Sequence, residues 1–492
     1  MTDAVTSDAE ETPPPSQSVS ALARRGSFIS MASYGASQLI RLGSNLILTR
    51  LLFEEAFGIM ALISSVLAGL HLFSDVGIGP SIVQHERGEE ARFQNTAFTI
   101  QVFRGVILWL VACALAIPIS EFYGEPQLAW LLPVSALSAL IGGFQSTRLW
   151  TQTRRLALGR IAIIDLFAPL GGVVVMLALA FAWRNVWALV VGGVVGELLR
   201  VSMSHLVLEG TSNRFAWDRS ALRELVSFGR WVFVSTVITF CATQSDRLIF
   251  GKLVTLDELG VYQIGLVMAS MPVTALVHIS GTVLFPAYSR VKNEGGDVGE
   301  SFLSTRWPLL LLGGWILSGL VGGGGAAIEL LYDERYYGAG FIVQVLSAGS
   351  WFLVLESTIT DVLLARGQSF WMAAAGFGNL VGMSILIPLG YVFFGFHGAV
   401  IGFAGGSFIQ YAVSRYAAIR GGLGGVGQDL GLTCMGALAG IVGFAAVRFV
   451  DPLASYKIVP ALADFVVVTL CWLPLGGPVI RRYLRQRRQR TA

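Results

Sequence analysis

The sequence has few charged residues, few cysteines and almost no lysine, and each shortage excludes a class of protein. Only 13% of its 492 residues are charged and 54% are hydrophobic, which excludes a water-soluble multidomain protein. The four cysteines have neither CxxC nor metal-ligand spacing, so no disulfide or metal site is expected. The three lysines lie in no Walker A loop and no aspartates are spaced as DxD, so the chain is not expected to hydrolyse ATP.

Long apolar runs fill the chain instead. Windows of about 20 residues predict an all-α polytopic membrane protein with about fourteen transmembrane helices. The predicted spans are 27–52, 57–84, 93–119, 127–149, 159–182, 186–208, 226–250, 259–287, 306–328, 341–364, 369–393, 397–419, 429–450 and 458–480. Glycines four residues apart, as in Gly192 with Gly196, Gly378 with Gly382 and Gly402 with Gly406, predict close helix packing.

The distribution of Lys and Arg predicts the orientation of these spans. With a cytoplasmic N-terminus, 23 of the 34 basic residues fall in cytoplasmic segments and 6 on the opposite side. The positive-inside rule therefore favours an even number of helices with both termini in the cytoplasm. The polar segment 1–26 is expected to be a disordered cytoplasmic tail, and the arginine-rich segment 481–492 a basic cytoplasmic tail that anchors the topology.

An internal repeat divides the chain into two halves. The run Arg50 to Ile59 resembles Lys252 to Val261 at a constant offset of 202 residues, at equivalent places in the topology. Parallel repeats are related by an axis along the membrane normal, with the transport path between them. The repeat predicts a six-helix bundle at 27–208, a cytoplasmic linker at 209–225, a second six-helix bundle at 226–420 and two accessory helices within 429–480. The Gly58 and Gly260 turns are expected to shape loops.

Polar residues within the spans predict a central cavity. In the first span they recur three or four apart, which places them on one helix face around Arg41. Inserting an arginine at mid-membrane costs about 2.5 to 3.5 kcal/mol, so Arg41 and the similarly deep Arg104 should face a wet cavity. The seventh span carries a second polar stripe next to Arg247. The candidate binding residues are Arg41, Arg104, Arg247, Gln38, Asn45, Thr243 and Gln244.

Arginines that line a cavity favour an anionic cargo, because guanidinium binds phosphate through two parallel hydrogen bonds and keeps its charge. Carboxylates in the spans have two open roles: they balance the arginines, or they bind a coupling H⁺ or Na⁺. The candidates are Asp75, Asp165, Asp246 and Glu356. No other cofactor is expected. For Asp246 and its neighbour Arg247, a structural ion pair is an equal alternative to substrate contact.

The motifs resemble those of a known family. The segments Glu54-Glu55-Ala56-Phe57-Gly58 and Phe73-Ser74-Asp75-Val76-Gly77 look like the start of polysaccharide-transport flippases in the multidrug and oligosaccharidyl-lipid exporter superfamily. The second half is similar, with Ser245-Asp246-Arg247-Leu248-Ile249-Phe250 followed by Leu284-Phe285-Pro286-Ala287-Tyr288. In order and spacing, such motifs cover both halves to about residue 420.

The resemblance implies a Wzx-type flippase, a non-enzymatic transporter of the bacterial inner membrane. Its cargo would be a polyprenyl-diphosphate-linked oligosaccharide that moves from the cytoplasmic to the outer leaflet for surface polysaccharide biosynthesis. Arg41 and Arg104 would hold the diphosphate, Arg247 would help on the outer side, and the polar neighbours would bind sugars. Membrane lipids surround the protein, a polysaccharide polymerase and glycosyltransferases are possible partners, and nucleic acid is not one.

Two alternatives stay open. A multidrug or cation exporter of the same superfamily should have acidic and aromatic cavity walls, against which Arg41 argues. A membrane glycan polymerase or ligase usually needs a large external loop, and the longest outer loop, at residues 329–340, is short.

Overall fold

The computed structural model describes residues 16–73, 78–84, 86–155, 157–220, 240, 243–454 and 456–491. Helices are the only regular secondary structure within these ranges, which confirms the predicted all-α class. Ten helices among the described residues are long and apolar enough to cross a membrane.

The first half of the chain forms nine helices, several of them short. They are α1 (Ser16–Leu51), α2 (Glu54–Phe73), α3 (Ile78–Gln84), α4 (Ala91–Tyr123), α5 (Leu128–Ser135), α6 (Leu137–Gly142), α7 (Arg148–Arg154), α8 (Leu158–Trp183) and α9 (Trp187–Leu206). The predicted fourth span is therefore broken into α5, α6 and α7, while the fifth and sixth spans match α8 and α9 closely.

The second half begins with α10, of which the structure describes 243–253. The helices after it are α11 (Leu256–Ile279), α12 (Phe285–Asn293), α13 (Val298–Leu331), α14 (Ala339–Ala365), α15 (Ser369–Arg420), α16 (Val426–Val450) and α17 (Ile458–Thr491). The eleventh and twelfth predicted spans form the two parts of α15, which bends at Gly395, where φ is 61°. Each predicted span thus contains helix in its described part, but the second span is divided between α2 and α3 and the fourth among three helices.

Local sequence signals set several helix ends. α11 starts with a capping box, in which the Thr255 hydroxyl accepts from the Glu258 amide at 3.2 Å and the Glu258 carboxylate accepts from the Thr255 amide at 3.0 Å. At the start of α13, the Asp297 side chain accepts a hydrogen bond from the Gly299 amide at 2.7 Å. α4 ends at Gly124, whose φ of 75° is the left-handed conformation that glycine adopts without strain.

The glycine pairs noted in the sequence lie where helices cross closely. A Cβ atom at Gly172 of α8 would lie 2.8 Å from the Cα of Gly196 of α9. A Cβ atom at Gly402 would overlap the carbonyl oxygen of Leu386 in the other part of α15. Backbones approach this closely only where no side chain intervenes, so the predicted small-residue packing is confirmed at these crossings.

Two sides of the molecule differ in how the halves meet. We call the side where α1 and α10 end, and where α2 and α11 begin, the closed side. The opposite side, where α2 ends and α4 begins, is called the open side. On the open side, residues 208–220 run along the first half, and the Arg214 and Ala216 amides donate to the side chains of Asn95 and Thr99 at 3.0 and 3.1 Å.

Candidate functional site

The halves meet at the first turns of α2 and α11, which are equivalent under the 202-residue offset. A Cβ atom at Gly58 would overlap the carbonyl oxygen of Leu256, and one at Gly260 would overlap that of Glu54. Glu54 and Leu256 are themselves 202 residues apart, so the contact is reciprocal, as two parallel repeats require. The expectation that these glycines shape loops is wrong, because both lie inside helices and permit the crossing.

Arg335, in the loop between α13 and α14, stabilises the crossing of α2 and α11. Its Nη2 donates to the Thr49 carbonyl oxygen at 2.8 Å and its Nη1 to that of Leu52 at 3.2 Å. Carbonyls at a helix C-terminus lack partners within the helix, and a cation is favourable there. A hydrogen bond that Arg335 donates to the Asp333 carboxylate raises the pKa of Arg335, and the Glu54 carboxylate lies 3.5 Å away. An arginine of the second half thus caps a helix of the first.

The largest hydrophobic core joins both halves on the closed side. It includes Leu62 and Ile63 of α2 together with Phe250 and Tyr262 of the second half. The other buried clusters among the described residues each draw on one half only. Helices in a bilayer associate through close van der Waals packing, and the one packed cluster among the described residues that joins the halves lies on the closed side, so the halves are held together there and less tightly on the open side.

A polar cavity of about 340 Å³ lies within the first half, towards the open side. Its wall includes Arg104 and Gln101 of α4, His71 of α2 and Glu197 of α9. The Nη2 atom of Arg104 donates to the His71 carbonyl oxygen at 2.7 Å, which fixes the guanidinium at the cavity wall. Arg104 therefore lies at a polar cavity, while its binding of cargo stays a prediction.

The break in the fourth span forms part of this cavity. Gln101 donates to the carbonyl oxygens of Gly142, Gly143 and Gln145 at 3.1 to 3.3 Å, and so supplies a hydrogen-bond donor to the backbone where the helix is interrupted. A Cβ atom at Gly105 of α4 would lie 2.8 Å from a carbonyl oxygen of α6. Non-helical backbone at membrane depth is tolerated where it lines a polar cavity, as it does here.

The polar stripe of α1 packs against α8 and carries an exposed Arg41. The Ser37 hydroxyl donates to the Asp165 carbonyl oxygen at 3.2 Å, and Ser44 donates back to the Arg41 carbonyl oxygen at 3.0 Å. Leu48, seven residues beyond Arg41 on the same face, is buried on the closed side. Gln38 and Asn45 are half-buried on the same helix. The stripe thus leads from a sealed end to an exposed arginine.

The second polar stripe brings Arg247 and Gln244 together on α10. Arg247 donates to Gln244 Oε1 at 2.6 Å and to Gln263 Oε1 of α11 at 3.1 Å. Its neighbour Asp246 is buried and accepts a hydrogen bond from the Tyr262 hydroxyl at 2.7 Å. Thr243 is exposed. The three candidate arginines therefore lie on three helices in different surroundings.

The candidate carboxylates also differ from one another. Asp165 pairs with Arg200 at 3.1 Å, so it balances an arginine of its own half. Glu356 is buried and accepts from the hydroxyls of Thr360 and Ser414 at 2.6 and 3.1 Å. Asp75 lies outside the described residues.

Sequence reasoning missed three residues of this arrangement. In the sequence, Arg335 has the appearance of any loop cation, and Glu197 that of an ionisable residue near the end of a span. The role of Gln101 could not be predicted, because a single glutamine in an apolar run forms no periodic pattern. The Gly142–Gly143 pair in the fourth span is the available hint of the break that Gln101 satisfies.

Comparison with solved structures identifies the fold. The chain superposes on a lipid II flippase, MurJ, in an inward closed conformation with a TM-score of 0.71 and 12% identity, over 93% of this chain and 99% of that one. An inward-facing multidrug resistance MATE family transporter of the MOP superfamily gives a TM-score of 0.59 with 11% identity, over 78% and 94% of the two chains. The fold is that of polytopic helical transporters, which confirms the predicted class.

Comparison of sequences identifies the family. Teichuronic acid biosynthesis protein TuaB of Bacillus subtilis is 24% identical over 60% of this chain and 61% of its own length. Succinoglycan biosynthesis transport protein ExoT of Rhizobium meliloti is 24% identical over 66% of each chain, and lipopolysaccharide biosynthesis protein WzxC of Escherichia coli is 22% identical over 65% of each. The chain spans just under two thirds of the length of these curated relatives. Residues 47–337 match the family described as polysaccharide biosynthesis protein, so the chain belongs to that family and the predicted resemblance is confirmed.

Proposed function

We propose that the protein is a flippase that moves a polyprenyl-diphosphate-linked oligosaccharide across a bacterial inner membrane by alternating access, without catalysing a reaction. Its family, and relatives named for teichuronic acid, succinoglycan and lipopolysaccharide biosynthesis, support a role in surface polysaccharide production. The helical transporter fold supports a carrier.

The observation that carries the proposal is the pair of arginines towards the open side. Arg104 lies in the wall of a polar cavity and Arg41 is exposed on the polar face of α1. A diphosphate presents oxygens that guanidinium groups bind in a bidentate manner, and arginine keeps its charge when partly desolvated. In this proposal Arg41 and Arg104 hold the diphosphate, Arg247 assists nearer the closed side, and Gln38, Asn45, Thr243 and Gln244 bind sugar hydroxyls.

The two sides of the molecule fit an alternating-access cycle. The closed side is sealed by the α2–α11 crossing and by Arg335, while the halves have separate cores towards the open side. In this proposal the open side faces the cytoplasm, which the excess of Lys and Arg supports, and this arrangement of the halves is the state that receives cargo. Release on the other side requires weaker binding after the halves rearrange, since a carrier moves cargo only by binding its two states differently.

The remaining parts of the chain also have roles in this proposal. The bundles 27–208 and 226–420 rock about the linker 209–225, and the polyprenyl tail stays in lipid while the headgroup crosses. A coupling H⁺ or Na⁺ provides the energy, and a polysaccharide polymerase and glycosyltransferases act before or after transport. Helices α16 and α17 are accessory to the two bundles.

A cation or drug exporter is the second candidate, and one observation favours it. Glu197 lies in the same cavity wall as Arg104, and a carboxylate there offsets the positive charge. The exposed Arg41 favours an anionic cargo over a cationic one. The two candidates differ in phenotype: loss of a flippase blocks glycan export, whereas loss of an exporter lowers drug resistance.

The test is deletion in the native cell followed by analysis of the lipid-linked glycans that accumulate inside. Complementation with Arg41→Ala should fail to restore export at normal protein level, and Arg41→Lys should restore it in part. Arg50→Ala is the matched control, because Arg50 is an exposed arginine at the closed end of the same helix. Full export with Arg41→Ala, or drug sensitivity without glycan accumulation, would overturn the proposal.

A further inference from the structure

Asp464 of α17 is a carboxylate buried within the membrane-spanning part of the protein, with only 5% of its surface exposed. It lies among glycines of two other helices. Cβ atoms at Gly322 and Gly323 of α13, or at Gly443 of α16, would collide with its carboxylate oxygens. The three glycines leave the space that the Asp464 carboxyl group occupies, because a side chain at any of these glycine positions would collide with it.

The Oδ1 atom of Asp464 has no hydrogen-bond partner among the described residues. The cations near Asp464 on these helices are engaged elsewhere: Arg448 of α16 lies over the Phe444 ring at 5.3 Å, Lys457, just before α17, donates to the Tyr337 hydroxyl at 2.6 Å, and Arg306 of α13 pairs with Asp429. Glu329 of α13 contributes to the electrostatic field at Lys457. Among the described side chains, no cation forms an ion pair with Asp464, and burying a bare carboxylate costs several kcal/mol.

The other buried carboxylates make a clear contrast. Asp246 accepts a hydrogen bond from Tyr262, and Glu356 accepts from two hydroxyl groups, Thr360 and Ser414. Hydrogen-bond donors favour the charged form of a carboxylate, whereas burial alone favours the neutral acid. Among the buried carboxylates that the structure describes, Asp464 is the one with a buried oxygen atom that has no hydrogen-bond partner.

Asp464 also lines a groove of about 430 Å³ that touches both halves. The groove wall is apolar and includes Leu42 of α1, Met268 and Pro272 of α11 and Trp315 of α13. Asp464 is the one ionisable side chain in this lining. Removal of its proton places a full negative charge in an otherwise apolar groove, so the hydration of the groove depends on whether the proton is present.

We propose that Asp464 is a proton-binding site within the membrane, and that loading and release of this proton couple to the rearrangement of the two halves. On release, the O–H bond breaks, the electron pair stays on the carboxylate and the proton passes to water; on loading, the reverse occurs. The protonated acid keeps the groove dry and packed, and the carboxylate draws water in and loosens α17 from α13. The coupling of this proton to the rearrangement depends on the proposed transport function, whereas the proton site itself does not.

Infrared spectroscopy of the purified full-length protein tests the site directly. At neutral pH, the wild-type spectrum minus that of Asp464→Asn should show the C=O stretching band of a protonated carboxylic acid. Asp451→Asn, at an exposed aspartate beyond the end of α16, should leave that band in place. Labelling aspartate with ¹³C should shift the band in wild-type protein, which assigns it to an aspartate, and the comparison with Asp464→Asn assigns it to this one. A wild-type spectrum without a ¹³C-shifted acid band at neutral pH would overturn the site.

Transport in vesicles tests the coupling. The rate at which wild-type protein moves a polyprenyl-diphosphate-linked oligosaccharide should change when a pH difference is imposed, and Asp464→Asn should lose that response while Asp451→Asn keeps it. An unchanged response in Asp464→Asn would overturn the coupling. The readouts separate the claims: an acid band without any transport refutes the proposed function alone, and transport without the band refutes the proton site alone.

Discussion

Replacement of Arg335 by alanine should open the closed side. Hydrogen bonds from charged donors are worth about 1.5 to 3 kcal/mol each, and the lower value applies because the Arg335 side chain is 34% exposed. Its two bonds to Thr49 and Leu52 join the halves, whereas its bond to Asp333 stays within the second half. Their loss removes about 3 kcal/mol from the closed arrangement, which is on the order of a hundredfold in its equilibrium constant.

Electron spin resonance distances between labels at Glu55→Cys and Asp257→Cys measure this opening. The two positions are exposed, equivalent in the repeat and on the closed side. The wild-type background, with its four native cysteines replaced, should give one short distance, and Arg335→Ala should add a longer one. Arg335→Lys should fall between them, because one ammonium cannot match the fork that reaches two carbonyls.

The matched control is Lys457→Ala. Lys457 is an exposed cation on the same side that donates to Tyr337, and both residues belong to the second half. Its removal should leave the distance distribution unchanged. If Arg335→Ala also gives the wild-type distribution, Arg335 does not hold the closed side and the reasoning from its hydrogen bonds is refuted.

Two further predictions concern packing and buried charge, and thermal unfolding in detergent checks both. Gly58→Ala should destabilise the protein by about 1 to 3 kcal/mol, because the new methyl group meets the backbone of Leu256, which cannot move aside. Its control is Gly193→Ala, whose methyl group meets nothing within 4 Å and which should be neutral or stabilising by up to about 1 kcal/mol. Asp429→Asn should cost about 3 to 5 kcal/mol, because it leaves the fully buried Arg306, 2.6 Å away, without its counter-charge. Glu294→Gln breaks an exposed pair and should leave the unfolding temperature nearly unchanged. Equal effects of variant and control in either pair would contradict the corresponding argument.

Much of the fold could be predicted because the bilayer constrains it. Spans, their approximate ends and the bend near Gly395 follow from apolar length and from glycine placement. The break in the fourth span could not be predicted in this way. It depends on Gln101 of another helix donating to the exposed carbonyls, and a tertiary hydrogen bond leaves no periodic trace in the sequence.

The candidate site could be predicted in part. The cost of burying an arginine was enough to single out Arg41 and Arg104, and the structure gives one an exposed face and the other a polar cavity. The role of Arg335 could not be read from the sequence, because a loop arginine has the same appearance whether it faces water or caps a distant helix. The burial of Asp464 could not be predicted for a similar reason, because the glycines that enclose it belong to other helices, α13 and α16.

The central claim is that a lipid-linked glycan crosses the membrane by binding Arg41 and Arg104. The most direct measurement uses vesicles that contain the purified protein and a polyprenyl-diphosphate-linked oligosaccharide, and follows how much of the glycan a reagent outside can reach. With wild-type protein the glycan sealed inside should become accessible, and with a folded Arg41→Ala, Arg104→Ala double variant it should stay sealed. Glycan that stays sealed with folded wild-type protein, or that crosses equally well with the double variant, would contradict the account.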